Sequence, residues 1–300
     1  MPLSPEPKRE QPSTYFIEDR ANQDELNRLR TQDQMLTASM GGVLPEQPDP
    51  TVFQRVLDVG CGTGNWLIEL AQTMPTCEVL IGVDASLKFI EYARAQAEAA
   101  QVSDRVEFHV ADALLVLEFP DKFFDLVNHR AASSWLRKWD WRKLLQEYQR
   151  VCRPKGVVRV TEGEWAVVST SPALSRLWEL LLQAFHQSGH LFTPTGDGVT
   201  GKLAHLLDQH GLQQVQTRAY TLEYRAGTLE GQHYVHDIEL LFRTVLPFLR
   251  KWTSVPDDYE QIYQQMLSET QQPDFVVTQG LLTAWGSVPS RREALTDSRS

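Results

Sequence analysis

A glycine-rich stretch carries the residue types of this chain best suited to binding a ligand. Residues 58–64, with sequence DVGCGTG, lie between the apolar pair 56–57 and an amphipathic segment that begins at Asn65. Glycines at such a strand-to-helix turn let a ligand approach bare backbone. Asp84 closes the next apolar run, residues 79–83, where an acid is placed to accept hydrogen bonds from a ribose diol. These features predict an adenosine-bearing cofactor.

The spacing of the glycines indicates which cofactor. A dinucleotide fingerprint needs the pattern G-x-G-x-x-G, and its third glycine would fall on Asn65. The stretch reads G-x-G-x-G instead, with Asp58 two residues before Gly60. Residues 56–64 therefore resemble the first motif of the class I S-adenosylmethionine (SAM) methyltransferases, in which the acid and the glycines surround the amino-acid end of the cofactor.

The resemblance implies a set of cofactor-binding residues at the ends of successive strands. An acid after the third strand is expected near the adenine, and the backbone after the fourth strand near the methionine part. An N-terminal helix is expected to close over SAM, with a tyrosine at its carboxylate. The predicted cofactor-binding residues are Tyr15, Asp58, Gly60, Gly62, Gly64, Asn65, Asp84, Ala85, Asp112, Ala113, Asn128 and His129.

Methyl transfer from a sulfonium needs mainly proximity and orientation, with a base only for an acceptor that is protonated. His129 and Glu164, after the fourth and fifth strands, are the candidate bases, although a solvated loop charge would also explain Glu164. The predicted substrate-binding residues are Arg130, Trp135, Glu164, His186, His190 and His233. Packing of a lid helix is the commoner role for these histidines. His186 and His190 have the i, i+4 spacing of metal ligands, but no third ligand is evident and no metal site is predicted.

The elements that position these residues alternate between strand and helix. Strands are predicted at residues 55–59, 79–83, 106–110, 123–127, 157–161, 215–224 and 274–285. Helices are predicted at residues 15–40, 65–74, 87–100, 139–152, 172–190, 200–210 and 229–267. This order predicts an α/β fold, a doubly wound, mostly parallel seven-stranded Rossmann-like sheet. Helical cap insertions follow the fifth and sixth strands, and by the resemblance they cover the substrate pocket.

The predicted organisation has one core that is interrupted twice. Residues 1–50 form a disordered tail and a lid helix, and residues 51–164 form the SAM-binding core. The first cap insertion is 165–200, the core continues over 201–228, and the second insertion is 229–272. Residues 273–288 form the final core strand, and residues 289–300 form a tail.

Composition narrows the class of partner. The formal net charge is −10, the pI is about 5.3, and 42% of the residues are hydrophobic. An acidic chain disfavours nucleic acid and anionic membranes as partners. The three cysteines form no CxxC pair and no long apolar run is present, which predicts a cytoplasmic location without a membrane anchor.

The predicted function is SAM-dependent methyl transfer, by in-line displacement, to a small hydrophobic or aromatic acceptor in a cap-covered pocket. A SAM-binding protein that catalyses another reaction is one alternative. A non-catalytic binding protein is a second, although a decayed site would have no reason to keep Asp58, Asp84 and Asp112. An NAD-dependent dehydrogenase is a third, disfavoured by Asn65. The sequence specifies neither the acceptor nor an oligomeric state.

Overall fold

A computed structural model of the chain describes residues 23–290, with side chains from residue 26. Its strands are β1 (Arg55–Val59), β2 (Val79–Asp84), β3 (Val106–Val110), β4 (Phe124–Arg130), β5 (Cys152–Ser169), β6 (Gln213–Arg225) and β7 (Val276–Ser287). Its α-helices are α1 (Gln23–Met40), α2 (Asn65–Thr73), α3 (Leu87–Ala99), α4 (Trp141–Val151), α5 (Pro172–Gln187), α6 (Thr200–Gln209), α7 (Leu229–Thr244), α8 (Leu246–Trp252) and α9 (Tyr259–Glu269).

The strands form one seven-stranded sheet in the order β3-β2-β1-β4-β5-β7-β6. The first five strands of the chain are parallel, and β7 lies antiparallel to both β5 and β6. The predicted α/β fold with a mostly parallel seven-stranded sheet is confirmed. The order reverses between β1 and β4, which is the switch point where ligands bind in open α/β sheets.

The sheet separates two hydrophobic clusters because successive side chains of a strand point to opposite faces. Val56 and Leu126 belong to the cluster that includes α2 and α3. Leu57 and Val127 belong to the larger cluster, which includes α4, α5 and α6. Helices therefore cover both faces, as the doubly wound pattern predicted.

Two strands are longer than the sequence pattern predicted, and this changes the position of several candidate residues. β4 continues to Arg130 and β5 continues to Ser169. β5 extends past its last pairing with β4, at Thr161, because β7 pairs with it as far as Ser169. Residues 128–130 and 162–165 therefore lie within strands, and the prediction that they follow them was wrong.

The other differences lie in the helical segments. The single helix predicted for residues 229–267 is three helices, because Pro247 occupies the first turn of α8 and Pro256 lies before α9. The predicted helix at 172–190 ends at Gln187, and Gly189 follows with a φ of +84°. Within residues 23–290, no helix is both long and apolar enough to cross a bilayer.

Candidate active site

One large cavity, of about 500 Å³, opens at the carboxyl ends of the central strands. Its wall joins three regions of the chain: the ends of β1 to β5, helix α1, and the segments inserted after β5 and β6. Residues predicted from the sequence that line it are Asp58, Gly60, Gly62, Asp84, Ala85, Asp112, Ala113, Arg130, Trp135 and Glu164. Further lining residues are Arg28, Asp33, Ser133, Trp165, Trp178, Tyr234, Asp237 and Leu241.

The glycine loop after β1 is fastened to the end of β2. The Gly60 and Cys61 N–H groups both donate to the Val83 carbonyl, at 2.8 and 3.0 Å. A Cβ atom added at Gly62 would meet no atom within 4 Å, so bare backbone there faces open cavity. The loop thus provides a backbone surface against which a ligand can lie.

Gly64 has a different purpose from Gly62. It does not line the cavity, and a Cβ atom there would lie 2.6 Å from the Phe108 ring and 2.8 Å from Ala93 Cβ. Its φ of +76° also favours glycine. Gly64 is therefore required for packing of the start of α2 against β3 and α3, and the neighbouring Asn65 also lies outside the cavity wall.

The acids at the ends of β2 and β3 are held in place by backbone N–H groups. Asp84 accepts from Gly62 N–H at 3.0 Å and from Ser86 N–H at 2.8 Å. Asp112 accepts from Leu114 N–H at 2.8 Å. Both carboxylates lie on the cavity wall, so the site presents fixed hydrogen-bond acceptors before any ligand arrives.

Asp58, on β1, is a buried acid at the inner wall of the cavity, with 4% of its surface exposed. Asn128 Nδ2 donates to Asp58 Oδ1 at 2.7 Å. Burial raises the pKa of Asp58 to about 7, although the Arg130 charge and the Asn128 hydrogen bond both oppose the rise. A cationic ligand group beside Asp58 would stabilise its ionised form.

The structure places the side chains of Asn128 and His129 in the interior of the sheet, away from the cavity wall. Both are completely buried, since β4 continues past them. His129 Nδ1 bonds to the Tyr148 hydroxyl at 2.8 Å, and Nε2 bonds to Glu162 Oε1 at 3.1 Å. The prediction of His129 as a cofactor contact and candidate base places its side chain in the site, but the ring lies away from the cavity wall and both ring nitrogens have protein partners.

Glu162 anchors the loop that follows β4. Its buried carboxylate accepts from the N–H groups of Ala132 and Ser133, at 2.9 and 3.2 Å, and from the Ser133 hydroxyl at 2.7 Å. Ser133 Oγ in turn accepts from the indole N–H of Trp165 at 3.0 Å. Ser133 and Trp165 both line the cavity, so Glu162 fixes part of its wall.

The arginines of the described cavity wall are paired with carboxylates. Arg28 of α1 contacts Asp237 of α7 at 2.8 Å, with both side chains buried. Arg130 pairs with Asp33 of α1, and it also donates to the Thr37 hydroxyl at 3.0 Å. These pairs join α1 to α7 and to β4 across the cavity.

Glu164 lies on the cavity wall beside the backbone of β7. A Cβ atom added at Gly280 would come within 2.4 Å of the Glu164 carboxylate, so the absence of a side chain there makes room for it. The Gln279 side chain donates to the Glu164 carbonyl at 2.7 Å. The carboxylate thus lies against β7, and Glu164, Trp165 and Trp178 all belong to the cavity wall.

The predicted substrate-binding histidines do not line the cavity. His190 is completely buried, 2.6 Å from the Ser188 hydroxyl, and packs against Phe185 and Phe248. His186 and His233 are half-buried and lie outside the cavity wall. Tyr15 lies outside the described residues. Within residues 23–290, no group of three or more His, Cys, Asp and Glu is arranged to hold a metal ion.

Several wall residues were missed in the sequence. Asp33 and Arg28 lie on the N-terminal helix, and Trp178, Tyr234 and Asp237 lie on inserted helices. Asp237 has a sequence signal, because a carboxylate within the apolar run of α7 requires a partner. Nothing local identifies Arg28 as that partner, since 209 residues separate the two.

Residues 56–156 match the family described as methyltransferase domain. The 27-O-demethylrifamycin SV methyltransferase of Amycolatopsis mediterranei is 28% identical over 92% of this chain and 86% of its own. The demethylmenaquinone methyltransferase of Deinococcus radiodurans is 38% identical over 34% of this chain and 40% of its own. The family match includes the glycine loop and the acids at the strand ends.

A solved structure resembles this chain in fold. It is phosphoethanolamine N-methyltransferase 2 of Haemonchus contortus in complex with S-adenosyl-L-methionine, with a TM-score of 0.54 and 17% identity. The match covers 92% of this chain and 60% of that one.

We predict that Asp58→Asn stabilises the ligand-free protein at neutral and alkaline pH. An acid whose pKa is raised by folding is protonated more readily in the folded state, so wild-type stability falls as the pH rises from about 4 to 7. The asparagine cannot ionise. The free energy of unfolding of the variant should therefore exceed that of the wild type by an amount that grows through that interval and remains constant above it. Urea unfolding at pH 4.5, 6 and 8 measures the effect. If the variant and the wild type differed by the same free energy of unfolding at all three pH values, the raised pKa of Asp58 would be contradicted.

Proposed function

Because the chain is a class I SAM-dependent methyltransferase, we propose that it methylates a neutral, largely apolar small molecule. The observation that supports this most directly is the composition of the wall of the cavity at the carboxyl ends of the strands. One end carries the glycine loop and the acids, and the other carries aromatic and aliphatic side chains of the inserted helices. Both reactants would then share one cavity of about 500 Å³.

The acid end of the cavity fits the cofactor. The bare backbone at Gly62 leaves open space for a ligand, and Asp84 is an acceptor for the ribose hydroxyls. Asp112 and Ala113 would lie at the adenine, and Asp58 at the ammonium group of the methionine part. When bound, SAM supplies a methyl group already activated by its sulfonium sulfur.

The other end of the cavity suits an apolar acceptor. Trp165, Trp178, Leu241 and Leu281 contribute aromatic and aliphatic surface. Such surface excludes water and holds a flat or hydrophobic molecule. Two relatives act, by their names, on 27-O-demethylrifamycin SV and on demethylmenaquinone, which supports a small-molecule acceptor.

Charge pairing supports a neutral acceptor. Arg28 and Arg130, the arginines of the described wall, are paired with Asp237 and Asp33. An anionic acceptor would have to break one of these pairs or bring its charge near Glu164. The phosphate-bearing acceptor in the name of the Haemonchus relative is therefore not the class that we propose for this chain.

A polar pair among the apolar residues would orient the acceptor. The indole N–H of Trp178 and the Tyr234 hydroxyl are buried and make no hydrogen bond within the described residues. The indole N–H lies close enough to Tyr234 to oppose the rise in pKa that burial causes in that hydroxyl. With the indole N–H directed at its oxygen, the Tyr234 hydroxyl would donate its own proton to an oxygen of the acceptor, such as a carbonyl, because a buried donor without a partner costs about 1–3 kcal/mol.

Catalysis by this chain would be mainly positional, with Glu164 as the base for an acceptor that must lose a proton. Glu164 is the wall carboxylate on the aromatic side that has no arginine paired to it within the described residues. His129 would act as support, since it packs between Trp135 and Trp141 and bonds to Glu162. Its ring would help to hold the loop that forms the wall.

We predict that Asp84→Ala weakens S-adenosylhomocysteine binding by about 1–3 kcal/mol, because ribose donors would lose their acceptor. The glycine loop would also lose the bond from Gly62 N–H. Isothermal titration calorimetry measures the affinity, and Glu107→Ala, at an exposed position on β3, is the control. Wild-type affinity in Asp84→Ala would show that the ribose lies elsewhere.

We predict that Glu164→Gln lowers kcat about a hundredfold at neutral pH with an alcohol acceptor, while S-adenosylhomocysteine affinity is unchanged. Gly280→Ala should have a similar effect although it keeps the carboxylate, because the added methyl group would displace it. Methyl transfer from labelled SAM, followed from pH 6 to 9, measures both variants. Wild-type kcat in both would exclude Glu164 as the base.

We predict that the complex with S-adenosylhomocysteine binds methyl 6-hydroxy-2-naphthoate at least about tenfold more tightly than 6-hydroxy-2-naphthoate, since only the carboxylate brings charge into the cavity. Tyr234→Phe should weaken the ester and leave naphthalene binding unchanged, because it removes one donor only. Tryptophan fluorescence titration measures the three affinities. Equal or tighter binding of the carboxylate would contradict a neutral acceptor.

A further inference from the structure

A row of polar side chains crosses three strands beside the cavity. Asp58 on β1 is in register with Asn128 on β4, and Asn128 is in register with Arg159 on β5. Residues in register on neighbouring strands point to the same face, so the three side chains are adjacent. Asp58 is 4% exposed, and the other two are completely buried.

Hydrogen bonds run along this row in one direction. Arg159 Nη1 donates to Asn128 Oδ1 at 2.8 Å, and Asn128 Nδ2 donates to Asp58 Oδ1 at 2.7 Å. A guanidinium has donors only, so it fixes which end of the amide faces it. The amide N–H₂ group is then directed at Asp58, which positions one carboxylate oxygen.

The far end of the row is fixed by a residue outside the sheet. Glu46, in the segment between α1 and β1, holds Arg159 with both carboxylate oxygens, at 2.7 and 3.2 Å. Both side chains are fully buried. The Arg159 charge lowers the pKa of Glu46 despite its burial. Glu46 thus leaves one arm of the guanidinium fork for Asn128.

The charges that act on Asp58 come from several elements. They are Arg130 of β4, Asp33 of α1 and Arg159 of β5. Burial raises the pKa of Cys61 in the glycine loop and of Tyr148 in α4, and the Asp58 charge contributes to both rises. Each arginine is paired with an acid of the N-terminal segment, Arg130 with Asp33 and Arg159 with Glu46. The surroundings of Asp58 therefore depend on residues 33–46 as well as on the sheet.

We propose that Arg159 is a positioning residue for the cofactor, acting through the Asn128 amide on the Asp58 carboxylate, with Glu46 as its anchor. The inference rests on the proposed role of Asp58. Stability alone does not account for the row, because a buried ion pair can often be replaced by apolar residues without loss of stability. Its consequence is that residues with no cavity contact set the protonation and orientation of Asp58.

The test compares the pH dependence of S-adenosylhomocysteine binding in three proteins by calorimetry from pH 6 to 8.5. Glu46→Leu/Arg159→Met removes both charges and leaves Asn128 free to rotate. Arg159→Lys keeps the charge, but one ammonium cannot hold Glu46 and orient Asn128 in a planar fork. Arg105→Met is the control, because Arg105 bonds to the carbonyls of Ala71, Met74 and Cys77, away from the cavity.

We expect the midpoint of the pH dependence to rise by about half a unit to one unit in the double variant, which weakens binding about two- to fivefold at pH 7 because the wild-type midpoint lies at about 7. The difference in affinity between the wild type and the double variant should shrink at pH 8.5, where Asp58 is largely ionised in both proteins. The amino group of the ligand titrates equally in every experiment, so the change in midpoint comes from the protein. The midpoint of the Arg159→Lys variant should also rise. The Arg105→Met variant should have a lower Tm and an unchanged midpoint.

A wild-type midpoint in Arg159→Lys and in the double variant would overturn the inference and leave Arg159 a structural residue. If the double variant does not fold, Arg159→Lys and a ¹³C NMR titration of the Asp58 carboxyl in the ligand-free protein decide the question. The Asp58→Asn variant distinguishes failure of the proposed role of Arg159 from failure of the proposed cofactor site. Wild-type affinity in that variant would exclude Asp58 as a cofactor contact, whatever Arg159 does.

Discussion

The interior of the sheet contains ionisable side chains, and much of the structure around the cavity provides them with hydrogen-bond and ion-pair partners. An unpaired charge in this interior would be very costly, so each one needs a partner of fixed geometry. On the face of α2 and α3, Asp58 reaches Glu46 through Asn128 and Arg159. These bonds hold the segment before β1 against the sheet and orient the carboxylate that faces the cavity.

On the opposite face of the sheet, the buried polar group that needs partners is the Glu162 carboxylate. Its carboxylate is satisfied by His129, by two backbone N–H groups and by the Ser133 hydroxyl. His129 is stacked between two tryptophans, one of which, Trp135, lines the cavity. Two buried networks on opposite faces of β4 therefore support two parts of one wall, the acid end through Asp58 and the aromatic end through the loop after β4.

The parts of the site that the sequence predicts well are those encoded locally. Gly60, Gly62, Asp84 and Asp112 come directly after apolar runs, and the parallel sheet brings the ends of those runs together. The residues after the fourth and fifth apolar runs were misplaced because pairing sets the length of β4 and β5. The side chains of His129 and Glu162 are therefore buried in the sheet interior.

Ion pairs between residues far apart in the chain could not be predicted from one sequence. The pairs Arg28–Asp237 and Glu46–Arg159 join positions 209 and 113 residues apart, and neither partner has a local motif. Helical insertions were predicted, although the second contains three helices instead of one, and a helical pattern does not specify which residues face the cavity. Tyr234 and Trp178 were therefore missed as wall residues, and the histidines of the same helices were chosen instead.

The central claim is that the acid end of the cavity is a SAM site. The most direct measurement is calorimetric titration of the purified chain with S-adenosylhomocysteine and, separately, with NADH. We expect saturable one-to-one binding of S-adenosylhomocysteine and no binding of NADH, because Asn65 stands where a dinucleotide fingerprint has its third glycine. Binding of NADH in preference to S-adenosylhomocysteine, or of neither, would contradict it.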